Sequence, residues 1–234
     1  MSDPAGYRDG EFVGRCDDIP TFDKAQYLQL ANFMPKPWAS DMLDWAQRHH
    51  ELMVYHGGET AFESSSAMPE LVEECPIASQ LIDAIVAQAG LAAFECSVEV
   101  TPRDDVFVEA WLSHRGEGDH FHWHTDRDPG DDQTRLLSFC YYLHSRPCQF
   151  MGGEIEFFDG VQVAPEHNKL VFFHPFTIHR VRHVHAVPRG WGGTDPETGT
   201  APGVWPDIEL LHPDDGRWCV VGWVHSRQPD QRGY

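Results

Sequence analysis

His124-Thr125-Asp126 is answered, 53 positions later, by Phe172-Phe173-His174-Pro175-Phe176-Thr177-Ile178-His179. On a strand, side chains at i and i+2 share a face, so an H-x-D pair presents an imidazole and a carboxylate together from one edge of a cavity. A third ligand has to come from a different strand, and His179, beyond an apolar run, is the candidate. Two histidines and one carboxylate with open positions beside them form the facial triad that holds non-haem Fe(II). In a chain with 15 histidines the tripeptide alone is a weak signal, and its surroundings carry the weight.

Those surroundings read as strands. Gly116-Glu117-Gly118 is a turn before the pair, and Thr134 to His144 (TRLLSFCYYLH) is aromatic and apolar like a buried strand. Gly152-Gly153-Glu154-Ile155-Glu156-Phe157-Phe158 opens another strand from a glycine turn, Lys169 to Phe173 is one more, and Arg217-Trp218-Cys219-Val220-Val221-Gly222-Trp223 starts a late strand on an arginine.

In this order, H-x-D, YYL, GGE, FF…H and R…GW, the motifs resemble the prolyl-4-hydroxylase-like branch of the Fe(II)/2-oxoglutarate-dependent dioxygenases, over about Val106 to His225 or roughly half the chain. The resemblance implies a mostly β protein with flanking helices (α+β), built as a double-stranded β-helix (a cupin-like jelly roll) supported by N-terminal helices. It implies Fe(II) held by His124, Asp126 and His179, with 2-oxoglutarate and O2 as cosubstrates and ascorbate as a stimulant. It also implies that a basic residue on a late strand holds the far carboxylate of 2-oxoglutarate. A guanidinium offers a carboxylate two parallel charge-assisted bonds. Arg217 is the expected anchor because it opens an apolar strand and is followed by Trp223, whereas Arg189, its competitor at the usual spacing of ten after the last histidine, sits in loop-like sequence. Tyr142 resembles the tyrosine that shares that carboxylate, with Cys140, Ser138 and Leu136 as same-face neighbours. His114 stands ten residues before the first ligand, where relatives often carry a tyrosine near the cosubstrate. His120 and His122 share parity with His124, and His183 and His185 share it with His179; they read as neighbours of the site, since three protein ligands suffice. His174 precedes Pro175 and is expected to leave the strand.

The rest of the sequence bounds the answer. At 234 residues, with 41% hydrophobic and 12% aromatic residues, a single domain over residues 1–234 with a sizeable core is expected. The charge of −20, from 17 basic against 37 acidic side chains, disfavours nucleic-acid and anionic-membrane partners and suits a small-molecule or peptide substrate. Six cysteines without a C-x-x-C pair, and no apolar run of membrane length, point to the cytoplasm. Residues 1–20 read as an arm and 21–93 as helical support, with a helix from Met42 to Met53 capped at Ser40-Asp41, a loop from Gly57 to Met68, and a helix from Pro76 to Gln88 ended by Gly90. The jelly roll is expected over 94–225, with a lid-like insert at about 187–216, rich in Gly and Pro yet carrying Trp191, Trp205, Ile208, Leu210 and Leu211 to bury. The expected activity is hydroxylation of an unactivated C–H bond in an amino-acid residue, free or peptidyl, or a small amino-acid-derived metabolite, with release of succinate and CO2. The resemblance also implies that the retained carboxylate Asp126 favours hydroxylation over halogenation. The alternative is a cupin-type metal-binding jelly roll that does not use 2-oxoglutarate, either another dioxygenase or a non-catalytic module.

Overall fold

Long apolar strands dictate a sheet buried on both faces. In the computed structural model, residues 25–56, 65–68, 75–98, 106–127, 134–187 and 215–226 are described, together with the backbone of 7–8 and 11–12. The strands are β1 (Tyr7–Arg8), β2 (Glu11–Phe12), β3 (Tyr27–Ala31), β4 (Val54–His56), β5 (Ser65–Met68), β6 (Val106–Arg115), β7 (Phe121–His124), β8 (Arg135–Leu143), β9 (Phe150–Gly152), β10 (Ile155–Phe157), β11 (Gln162–Val163), β12 (Lys169–Phe173), β13 (His179–Val181), β14 (Val184–Ala186) and β15 (Arg217–Ser226). Two helices, α1 (Lys36–Arg48) and α2 (Ala78–Glu95), and a 3₁₀ turn at His50–Leu52 complete the described elements.

A seven-stranded sheet, β3-β12-β8-β15-β6-β5-β4, faces a four-stranded one, β11-β10-β13-β7, and every pairing is antiparallel. Alternation on the large sheet sorts its side chains. Leu112, Phe139, Tyr141, Leu170, Phe172, Trp218 and Val220 pack towards the helices, in one core with Met42, Leu81 and Ile85. Cys140, Tyr142, Val171, Phe173 and Cys219 point the other way, to meet Ile155, Phe157 and Val163 of the small sheet. Strands apolar on both faces, such as KLVFF, follow from this double coverage.

Several local expectations are corrected. The first helix begins six residues before Met42, because Pro35-Lys36-Pro37 sets up its first turn; Ser40 lies inside it and no side chain caps it. The second runs through Gly90 to Glu95, since Leu81, Ile85, Ala89 and Ala92 extend the buried stripe; it ends where Ser97 takes φ +54°. The 21–93 region is not only helical. Its β3 pairs with β12, and β5, read as loop from its serines, pairs with β6 and carries β4. Strand identity at Ser65–Met68 comes from the β6 ladder, not from propensity. The lid-like insert and Arg189 lie outside the described residues, apart from Val187, Asp215 and Gly216. Among the described residues no helix is long and apolar enough to cross a membrane.

Candidate metal centre and carboxylate pocket

The last residue of β7, the turn after it and the first residue of β13 meet at one point. His124 pairs with His179 across β7–β13, and Asp126 follows β7, its N–H donating to the Pro175 carbonyl at 2.9 Å. The Asp126 carboxylate therefore reaches the site from a loop, not from the strand. Its Oδ1 stands 3.6 Å from His124 Nε2 and 3.9 Å from His179 Nε2, and ligand atoms of all three lie within 4.8 Å of one another.

Both imidazoles are oriented by their own backbone. Nδ1 of His124 lies 2.7 Å from the His122 carbonyl and Nδ1 of His179 2.8 Å from that of Thr177. A carbonyl only accepts, so each Nδ1 carries the proton and each unprotonated Nε2, on the side of the Asp126 carboxylate, keeps its lone pair for a metal. Burial, and then the adjacent His179, push the His124 pKa down to about 3, which keeps the ring neutral as a ligand must be.

The parity expected for the other histidines fails at a bulge. The register between β7 and β13 shifts between His179 and Val181, so Phe121, opposite Val181, and His124, opposite His179, both reach the cavity wall. His120 and His122 line a separate cavity of about 400 Å³ with Arg180, Arg182, His183 and His185. His174 sits beyond the β12 end with its Nδ1 accepting from the Phe176 N–H.

The triad opens into a cavity of about 400 Å³ between the sheets. Arg217 enters it from the large sheet, 1% exposed, its guanidinium 4.8 Å from the centre of the Tyr142 ring. Among the described residues none of its three nitrogens finds a hydrogen-bond partner of good geometry, and neither does the buried Tyr142 hydroxyl. Burial holds that phenol protonated, its pKa far above the usual value. A buried guanidinium beside an unsatisfied hydroxyl is a strong demand for an anion with two acceptor oxygens. The residues present thus fit a carboxylate at this end and a divalent ion at the other. Gly153 makes room. Its φ is +70°, and a Cβ there would lie 2.7 Å from Arg217 Cδ, so the GGE turn is the floor on which the arginine lies.

His114 is not brought to the pocket. In β6 the odd positions face the cavity, so Ser113 and Arg115 line it while His114 points to the helices, 4.5 Å from the Trp218 ring and 5.1 Å from His50. Leu136 likewise packs on the helix side, next to the register shift in β8–β15. Sequence reasoning missed Ser113, Arg115, Trp111 and the β5 residues Ser65 and Ala67, all on the cavity wall. Placing β6 opposite β15 with Arg115 facing Arg217 would have found the first three.

Residues 110–192 match the family model described as the 2OG-Fe(II) oxygenase superfamily. Comparison with curated protein sequences finds no match. Among solved structures, the chain is similar to a Pseudomonas putida prolyl-4-hydroxylase at 18% identity and TM-score 0.56, over 88% of this chain and 94% of that one. It is also similar to a Trichoplax adhaerens prolyl hydroxylase in complex with a hypoxia inducible factor oxygen degradation domain peptide fragment (14%, TM-score 0.56, 87% and 85%). A third similarity is to SnoN, the non-heme alpha ketoglutarate dependent epimerase from nogalamycin biosynthesis (11%, TM-score 0.56, 87% and 77%). The residues matched by the family model, 110–192, hold the whole triad, and the fold is similar to that of the prolyl-4-hydroxylase structures, so the chain resembles the 2OG-Fe(II) oxygenases, a superfamily whose description names Fe(II) and 2-oxoglutarate.

Proposed function

We propose that the protein hydroxylates an unactivated C–H bond of an amino-acid residue, free or peptidyl, or of a related small metabolite, with His124, Asp126 and His179 holding the iron and Arg217 and Tyr142 holding the distal carboxylate of 2-oxoglutarate. The observation that carries this reading is the pairing, within one cavity, of a convergent His-Asp-His set with the buried Arg217, whose guanidinium lies against the Tyr142 ring and, like the Tyr142 hydroxyl, meets no hydrogen-bond partner among the described residues. The bound iron, with 2-oxoglutarate and O2, supplies the oxidation of a C–H bond as succinate and CO2 leave.

The chain's own residues do the rest. The His122 and Thr177 carbonyls fix the imidazole tautomers, so the metal-facing nitrogens are set before the ion binds. Arg217 fixes one end of the cosubstrate, which aims its other end at the triad. Ile155, Phe173 and Val181 give the triad an apolar surround that excludes water. The prolyl hydroxylase neighbours support a peptide or amino-acid substrate class, and SnoN supports a small molecule. The test is incubation with Fe(II), ascorbate and 2-oxoglutarate, following succinate across an amino-acid and peptide panel. Substrate-stimulated succinate is expected from the wild type, and its loss together with bound iron in His124→Ala, Asp126→Ala and His179→Ala. A wild-type iron content in His179→Ala would sink the triad assignment.

A further inference from the structure

Four histidines outside the triad gather around the separate cavity on the small sheet. His120 and His122 come from the head of β7, His183 and His185 from the head of β14, and all four line it. Each pair is spaced i, i+2, the interval that turns two strand side chains to one face. The His120 and His183 rings stack at 4.3 Å, His122 stands 4.8 Å from His120, and His185 6.2 Å from His183.

Two of these imidazoles are held as metal ligands are held. Nδ1 of His120 lies 3.2 Å from the Gly118 carbonyl, two residues back, the same arrangement that sets His124 on His122 and His179 on Thr177. The carbonyl only accepts, so His120 carries its proton on Nδ1 and keeps the Nε2 lone pair. Nδ1 of His185 lies 3.2 Å from Glu117 Oε1, a carboxylate–histidine pair of the kind that stands behind zinc ligands. Burial, and then His120, His185 and His122, lower the His183 pKa, so that ring is neutral at pH 7, as a ligand must be. The two guanidiniums in the wall are engaged by carboxylates, Arg180 by Glu156 at 2.8 Å and Arg182 by Glu156 at 3.4 Å and Glu154 at 3.7 Å, which blunts their repulsion of a cation.

We propose that His120, His122, His183 and His185 form a second metal site, separate from the triad, for a borderline divalent ion that favours imidazole, namely Zn(II). Zn(II) takes nitrogen ligands at about 2.0–2.1 Å in a tetrahedron and has no d-electron preference to satisfy. His120, 7% exposed, is the fixed ligand. His183 and His185 are exposed, and their side chains turn from the stacked arrangement to meet the ion. An ion held there ties β7, which carries His124, to the corner between β13 and β14.

The test uses Zn(II) alone and the full chain without an affinity tag. Titration calorimetry is run on the wild type, on Asp126→Ala/His179→Ala, which lacks the triad, and on that variant with His120→Asn or His183→Asn added. The wild type is expected to take two equivalents and the triad-less chain one, with Zn(II) raising its Tm. Each added histidine substitution should weaken that remaining site by at least about tenfold, since even loss of a residue behind a ligand costs that much. His183→Asn/His185→Asn in an intact triad gives an independent reading, because both positions are exposed: it should keep its iron and fall from two Zn(II) to one. Cu(II) in the triad-less chain should show an electron paramagnetic resonance spectrum with couplings from more than one imidazole nitrogen. A triad-less chain that folds and binds no Zn(II) overturns the proposal. So does one whose Zn(II) affinity is untouched by the histidine substitutions, since the ion would then sit elsewhere, and so does loss of iron from His183→Asn/His185→Asn, since these residues would then serve the triad.

Discussion

At the scale of single residues, Arg217 and Gly153 act as one unit. Among the described residues the guanidinium has no hydrogen bond to give up, so its removal tests what it is proposed to bind. Arg217→Ala should raise the KM for 2-oxoglutarate by roughly tenfold or more, the effect of removing one charged hydrogen-bond partner. Arg189→Ala should leave that KM close to wild type, and the reverse result would move the anchor to the Gly/Pro-rich segment. Gly153→Ala tests the same anchor from below. A side chain at φ +70° costs about 1–3 kcal/mol of stability, and the new Cβ displaces the Arg217 stem. The expected outcome is a lower Tm together with a several-fold higher KM for 2-oxoglutarate, read by thermal melts and by titration of the cosubstrate. A loss of stability with KM unchanged would show that the arginine tolerates the shift.

Individual strands decide which histidines matter, and β7 decides it through an irregularity. Its bulge turns both Phe121 and His124 inward, with the two rings stacked at 3.6 Å, and leaves His122 on the outer side. His122→Ala and His183→Ala should therefore retain bound iron at the wild-type ratio, while His124→Ala loses it; metal analysis of the purified variants decides. Sequence parity could not see this, because a two-residue period holds only while the ladder is regular. The same limit explains His114. Its spacing to His124 was legible, but the turn at Gly116–Asp119 lies between, and only the β6–β15 register tells which side of the sheet each residue takes. What the sequence did carry was the set of long strands, Thr134–His144, Lys169–Phe173 and the one opening at Arg217, because their apolar or aromatic runs leave no other way to be buried. Edges escaped it. β4 and β5 are short, and β5 is rich in serine; their strand state is imposed by β6.

For the molecule as a whole, burial of neutral histidines makes stability depend on acid. The pKa of His167 is lowered to about 4 by burial and by His144, that of His174 to about 4 by burial and by Arg127, and that of His124 to about 3. An unfolded histidine titrates near ~6.5, so between roughly pH 6.5 and 3 the unfolded chain binds more protons than the folded one. Above that window these groups do not tilt the balance, within it the folded state loses stability as pH falls, and below it the loss is complete. Metal-free protein should show a Tm that falls progressively as pH drops from about 6.5 towards 4, and His174→Gln should flatten part of the slope. A slope unchanged by that substitution would mean that His174 takes up its proton in the folded state as readily as in the unfolded one.

The division of labour between the two sheets has a further consequence. His124 and His179 lie on the four-stranded sheet, with Asp126 just beyond it, while Arg217 and Tyr142 lie on the seven-stranded one. On the proposed roles of these residues, the gap between the layers would work as a calliper set to one molecular span. With Arg217 as the anchor proposed above, a 2-oxo diacid of the right length would close it, one a carbon shorter would fall short of the arginine, and one a carbon longer would have to bend against the cavity wall that Phe173 and Ile155 form. Fidelity for 2-oxoglutarate over oxaloacetate or 2-oxoadipate would then belong to the spacing of the sandwich, and it would loosen under any change that lets the layers slide, even one far from the metal.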